Sequence, residues 1–324
     1  MTMVIVVSTF IFAFWPSYTK YNFPDNKKFA FAILDDTDNA TLKNIEPIYQ
    51  YLKNKKIIST KTVWMLPSNK NEHGHTHGSS LANKNYSAFI SKLKYQGFEI
   101  TSHGARGASS KRSVIIKGLK TYKKSIGNYP YMHINHSMNK DNLYWGEHRL
   151  TFSPLQWAYR ATKGKTLFFG HIKNSPYFWG DIAKRSIKYS RDFSFHEINL
   201  AKIGSIVPRY VNGKSNYLKW FYTSNGRDIN TFNKLLSPKN LDLIEMDGGY
   251  TIIYTHFGKG FFNRGQINPL FKQRIEDLTK RSVWITTTGE LLEFLEKQTH
   301  KTRNNCLEEF RLQLRWSLEQ LLYN

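Results

Sequence analysis

Runs of apolar, β-prone residues alternate along this chain with segments whose apolar residues recur at helical spacing. "KKFAFAILDD" reads as a buried strand, and "NATLKNIEPIYQYLKNKK" follows with Leu42, Ile45, Ile48 and Leu52 at roughly helical spacing. Asn39 or Thr41 is placed to cap that helix, and Pro47 lies inside it. "TKTVWML" is the next strand, and the polar loop "PSNKNEHGHTHGSS" leads to a helix in "NYSAFISKLKYQG". The strand "FEITSH", the helix "SSKRSVIIKGLKTYKKSIG" and the strand "YPYMHINH" come next. "KTLFFGH" reads as a strand, "FWGDIAKRSIKYS" as a helix, and "YTIIYTHF" as a late strand opened by the turn signal "DGG". "INPLFKQRIEDLTKR" and "TGELLEFLEKQTHK" read as the last barrel helices. Residues 303–324 read as an amphipathic helix with Leu307, Phe310, Leu314, Leu318 and Leu321 on one stripe. Alternation of this kind is the signature of a parallel sheet. No break in composition splits the 324 residues, a length that suits one α/β barrel. The expected division is an apolar segment at 1–26, the barrel at 27–300 and a helix at 301–324.

The strand ends carry the chemistry. Asp35 and Asp36 end one strand, and His103, His136, His171 and His256 end four others. Ligands and catalysis collect at the C-terminal ends of parallel strands, so these groups are expected to share one mouth. Carboxylate oxygen and imidazole nitrogen are the donors a zinc-class ion takes, and a catalytic site keeps a position open for water. Neighbouring aspartates in an extended segment point to opposite sides, so one suits metal binding and the other proton transfer.

Composition narrows the partners. The formal charge is +23 and the pI near 9.8, but the lysines are scattered, and neither a zinc-finger spacing nor an RNP-type aromatic signature occurs. Specific nucleic-acid binding is therefore not expected. An anionic surface or an acidic glycan would profit from the same field. The single cysteine, Cys306, excludes an intramolecular disulfide and a thiolate zinc site, and fits a reducing compartment such as the cytoplasm. The apolar run from Val4 to Trp15 is too short to span a membrane but has the length of a signal core, which leaves export or a membrane surface open beside a packed segment. The sequence does not fix an oligomeric state.

These residues resemble the polysaccharide deacetylase superfamily, carbohydrate esterase family four, over roughly residues 27 to 295. The resemblance implies an irregular β/α barrel of seven strands and a divalent metal, zinc foremost. "FAILDD" matches the first motif, which implies Asp35 as base and Asp36 as metal ligand. "FEITSHGARGASSKR" supplies the metal histidine His103, and "YMHINHSMN", with Asn135, occupies the place of a substrate-lining loop. "YFWGD" corresponds to a motif that brings a tryptophan, Trp179, and an acid, Asp181, to orient the catalytic histidine; "IIYTHF" supplies that histidine, His256, as the acid. The chain also looks like a divergent branch found among bacterial surface-polysaccharide biosynthesis genes. Two departures stand out. Gly107 and Ala108 occupy the place of the second metal histidine, so His136 or His171 is needed to complete the site. Thr37 and Asp38 replace the usual glycine and proline after the paired acids.

Three further features flank this set. "HGHTHG" alternates His73, His75 and His77 in a polar loop, which reads as plain surface, as an adventitious metal site or as a lid that donates a ligand. "SSKR" opens a helix where serine capping competes with an anion cradle formed with Arg106 or Arg112. "NLYWGEHR", with Trp145, and "SPYFWGD" can stack on sugar faces or serve the core. The expectation is metal-dependent deacetylation of an N-acetylated sugar or surface polysaccharide. The alternative is a carbohydrate-binding barrel that kept the fold and holds no metal.

Overall fold

The computed structural model of the chain describes residues 8–9, 11–16, 19–164, 167–214, 218–299 and 301–323. Seven parallel strands follow one another around a closed barrel: β1 (Phe29–Asp35), β2 (Thr60–Val63), β3 (Glu99–Ser102), β4 (Met132–His133), β5 (Tyr189–Phe195), β6 (Lys219–Asn225) and β7 (Gly249–Thr255). β7 pairs back onto β1 along its whole length and closes the ring. A short hairpin, β8 (Phe262–Asn263) with β9 (Gln266–Ile267), follows. β10 (Val283–Thr286) then pairs with β1 at Phe29–Ala32, below Leu34 and Asp35, where β2 pairs.

Helices wrap the outside. α1 (Leu42–Asn54), α2 (Lys84–Tyr95) and α3 (Arg112–Ile126) link the first four strands. α4 (Ser153–Lys163) and α5 (Gly180–Ser186) lie between β4 and β5, and α6 (Ile229–Leu235) and α7 (Pro238–Asp247) between β6 and β7. α8 (Pro269–Thr279) and α9 (Thr288–Gln298) flank β10, and α10 (Cys306–Leu322) follows. β1 shows how the layers form. Phe29, Phe31 and Ile33 pack outward against Ile45, Ile48 and Leu52 of α1, while Ala30, Ala32 and Leu34 pack inward with Phe193 and Ile252. Thr41 caps α1, its N–H donating to Asn44 Oδ1 over 2.8 Å, and the helix runs on through Pro47.

The middle of the barrel differs from the sequence reading. Residues 167–171 of "KTLFFGH" form no strand, and 165–166 lie outside the described residues. The strand after β4 is instead β5, which begins within the segment read as a helix; that helix, α5, stops at Ser186. β5 is buried yet carries Arg191 and Asp192, and its register against β6 shifts between Arg191 and Phe193. The irregularity breaks the period-two pattern, and the charges are neutralised by partners far away in sequence.

α10 also differs. Leu307 and Leu321 of the expected stripe are exposed, while Glu309, Gln313, Arg315, Trp316 and Glu319 are buried against the barrel. Ion pairs hold this face. Buried Arg209 places Nε 3.0 Å from Glu309 and Nη2 3.0 Å from Asp192 of β5. Burial alone would raise the Glu309 carboxyl; the Arg209 charge and hydrogen bond outweigh it and bring it down to about 2. Phe12, from the apolar N-terminal run that lies only partly within the described residues, packs on Phe310 of α10 with ring centroids 6.4 Å apart. Among the described residues no helix is long and apolar enough to cross a membrane.

Candidate functional site

Asp36, Asp38, His103, His136 and His256 line one cavity of about 340 Å³ at the C-terminal mouth of the barrel. They reach it from the ends of four strands or the loops beyond, Asp36 and Asp38 both following β1. His103 and His256 directly follow β3 and β7, and His136 lies three residues past the short β4.

The paired aspartates part company at the end of β1. Asp35 continues the outward face, where its Oδ2 lies 2.8 Å from Lys61 Nζ and accepts a 2.8 Å bond from the Tyr49 hydroxyl. Its Oδ1 accepts from Phe257 N–H over 2.7 Å. Asp35 therefore does not line the cavity, and the proton-accepting role implied for it has no access to a substrate. Asp36 turns inward, with Arg191 Nη2 3.2 Å from its Oδ2. Its buried Oδ1 has no hydrogen-bond partner and lies 3.8 Å from His103 Nδ1, which is equally unpartnered.

Asp38 stands at the centre. Its Oδ1 is 3.2 Å from His103 Nε2 and 3.6 Å from His136 Nε2; its Oδ2 is 3.3 Å from His256 Nε2 and 3.3 Å from Lys259 Nζ. Burial alone would raise this carboxyl, but the hydrogen bonds and charges of His103 and His256 outweigh it and hold it well below the usual carboxylate range. Burial lowers the His136 imidazole further than the nearby Asp38 carboxylate raises it. The remaining histidine nitrogens are also placed. His136 Nδ1 donates to Asn139 Oδ1 over 3.1 Å, and His256 Nδ1 donates to the Arg227 carbonyl over 2.5 Å.

This donor set fits a zinc-class ion. One donor atom each from Asp38, His103 and His136 lies within 4.8 Å of the others. Donors about 2.0–2.1 Å from a tetrahedral zinc stand roughly 3.3–3.5 Å apart, and the two spacings to Asp38 Oδ1 bracket that range. Asn139 behind His136 supplies an outer contact of the kind that orients metal-binding imidazoles. Asp38, not Asp36, is the carboxylate of this group.

The missing second motif histidine has a steric explanation. A Cβ at Gly107 would sit 2.7 Å from the Thr76 carbonyl oxygen and 2.8 Å from the Trp64 ring. His136 fills the gap from the next strand end. Gly107→His is expected to destabilise the chain by about 1–3 kcal/mol and to weaken metal uptake, as thermal unfolding and metal titration would show.

The other expected residues scatter. His171 lies in a separate cavity of about 540 Å³ with His148, Lys214 and Tyr144, and so stays apart from the acid–histidine cluster. Asp181 forms a bidentate pair with Arg112, at 2.6 and 2.7 Å, and does not touch His256. Arg106 pairs with Glu72 at 2.6 Å. Trp179 is buried, its indole N–H donating to the Asp141 carbonyl over 2.7 Å. Asn135 and Trp145 do line the cavity, and Asn135 also braces its loop through both polar groups of Leu143. The histidine loop covers the site without lending it a histidine. Thr76 Oγ1 is 3.0 Å from His136 Nε2, while His73 and His75 bond Ser109 and Ser68. Arg149, Arg191, Lys259 and Trp316 also line the cavity and were not singled out from sequence, where Asp38 was noted only as a departure from the motif.

No protein-family profile matches the sequence, and neither does any curated protein. Solved structures do match in shape. A protein from Mycobacterium smegmatis assigned as a polysaccharide deacetylase superposes with a TM-score of 0.53 at 12% identity, over 90% of this chain and 98% of that one. One from Pseudomonas aeruginosa PAO1, also assigned as a polysaccharide deacetylase, gives 0.50 at 8% identity, over 86% and 94%.

Proposed function

The chain has the fold of the polysaccharide deacetylases, and from that premise we propose that it removes an acetyl group from an N-acetylated sugar. The observation that carries this reading is the convergence of Asp36, Asp38, His103, His136 and His256 on one cavity. Asp38, His103 and His136 would hold a divalent ion, zinc foremost. Such an ion supplies Lewis acidity toward a carbonyl and toward water. Asp36, which lines the cavity, takes the proton of the attacking water, and Arg191 on Oδ2 fixes its orientation. His256 is held through Nδ1 and presents Nε2 to donate a proton to the departing amine.

Lys259 favours a second reading. Its ammonium sits 3.3 Å from Asp38 Oδ2 and supplies positive charge beside the same carboxylate, as a metal-free sugar-binding barrel would need. Metal content of the untagged protein, wild type and His103→Ala, decides between them. About one zinc, nickel or cobalt per chain, lost in the variant, with acetate released from N-acetylated oligosaccharides, is the expected result. A folded protein that takes up no resupplied metal and releases no acetate would leave the binding barrel.

A further inference from the structure

The cavity that holds the acids and histidines is also lined by Arg149, Arg191, Arg227 and Lys259. Two of these cations are matched within the site: Arg191 by Asp36 and Lys259 by Asp38. Arg227 has only a 3.5 Å contact with its neighbour Asp228, near the surface. Arg149 is the unusual one. Its guanidinium is clamped between two indoles, 4.0 Å from the Trp145 ring centroid and 4.4 Å from that of Trp316. Its hydrogen bonds go to the Gly146 and Asp192 carbonyls, at 3.4 and 3.2 Å, and to the Tyr159 hydroxyl. Among the described residues no carboxylate pairs with it, whereas Arg191, Arg209 and Arg315 each have one. Burial disfavours its charged form. A cation held in place by two aromatic faces, with the Asp192 carboxylate acting on it only from beyond ion-pair distance, is suited to receive an anion in the plane of its N–H groups.

The cavity shares walls with two further hollows, through Trp316 and Gln320 with one and through Asn225 and Arg227 with the other, and the three together form a trough. Arg149 stacks on Trp316 of the first shared wall, and Arg227 belongs to the second.

Resting on the deacetylase reading, we propose that the glycan this trough takes is acidic: a chain whose N-acetylated sugars alternate with carboxylate-bearing sugars, read by Arg149 and Arg227. A planar guanidinium matches a carboxylate bidentately. The overall charge of +23 draws such a polymer toward the surface.

The test compares two tetrasaccharides by calorimetry on the full chain stripped of metal with chelator. One is a neutral tetramer of N-acetylglucosamine; the other alternates N-acetylglucosamine with glucuronic acid. The acidic tetramer is expected to bind at least tenfold more tightly, with an affinity that falls as salt rises. Arg149→Gln is expected to remove most of that preference, on the order of tenfold to hundredfold. Arg227→Gln, at an exposed position that leaves the core intact, is expected to reduce it severalfold. Equal binding of the two tetramers, no binding of the acidic one, or a preference untouched by both variants would overturn the proposal. Acetate release separates it from the reading beneath. Arginine-dependent binding of the acidic tetramer with no acetate released from either tetramer would keep the acidic ligand and discard the deacetylase. Acetate released equally from both, with binding indifferent to both arginines, would do the reverse.

Discussion

Lys61→Met is expected to destabilise the chain by about 3–5 kcal/mol, the usual cost of leaving a buried charge without its partner. Lys61 and Asp35 face each other in register between β2 and β1, and neither side chain has exposed surface. Removing the ammonium leaves the carboxylate only the Tyr49 hydroxyl and the Phe257 N–H. Burial works against the Lys61 ammonium, and the charge of the facing Asp35 carboxylate outweighs it and raises the lysine above its ordinary value. The double variant Lys61→Met with Asp35→Leu is expected to recover most of the loss, because it removes both charges together. Thermal unfolding followed by circular dichroism checks both results, and a single variant that melts with the wild type would show the pair to be inert. The pair also bears on the site. Asp35 Oδ1 holds the backbone of Phe257, the residue after His256, so the single variant should disturb activity at temperatures where the barrel is still folded.

Asp36→Asn is expected to lower kcat for acetate release by about 10²–10⁴, the range of one general base, with a much smaller change in KM. The amide keeps the shape of the side chain but cannot take a proton from water. Asp36 is held outside the Asp38, His103 and His136 group, so the variant should retain its metal. Loss of metal from Asp36→Asn would identify the residue as a ligand instead, and unchanged kcat would remove it from proton transfer.

Most of the barrel was legible because its strands announce themselves locally. β1 and β7 are largely apolar runs, β2 and β3 short stretches with β-branched residues, and the polar ends of β1, β3 and β7, with the loop after β4, do meet. β5 was not legible. Its Arg191 and Asp192 are neutralised by Asp36 and Arg209, contacts that no local window contains. The split between Asp35 and Asp36 was half legible: alternation says that they face opposite ways, but only Lys61 says which is which. Asp38 was visible as a third acid yet lies in the loop beyond the strand, where a reading of strand ends stops. Trp316 reaches the cavity from a helix whose buried face is largely charged, so an apolar-stripe reading put the helix on the wrong side.

The spread of the proposed ligands along the chain has a thermodynamic consequence. Asp38 and His103 are 65 residues apart, and His136 is farther still. An unfolded chain does not bring these three side chains together, so the ion they hold favours the native state, less whatever the same ion gains on the alternating His73, His75 and His77 of an unfolded chain. By mass action, free ion at a hundred times its dissociation constant would add about 2.7 kcal/mol to folding. Metal supply would then set how much folded protein survives as well as how fast each copy works.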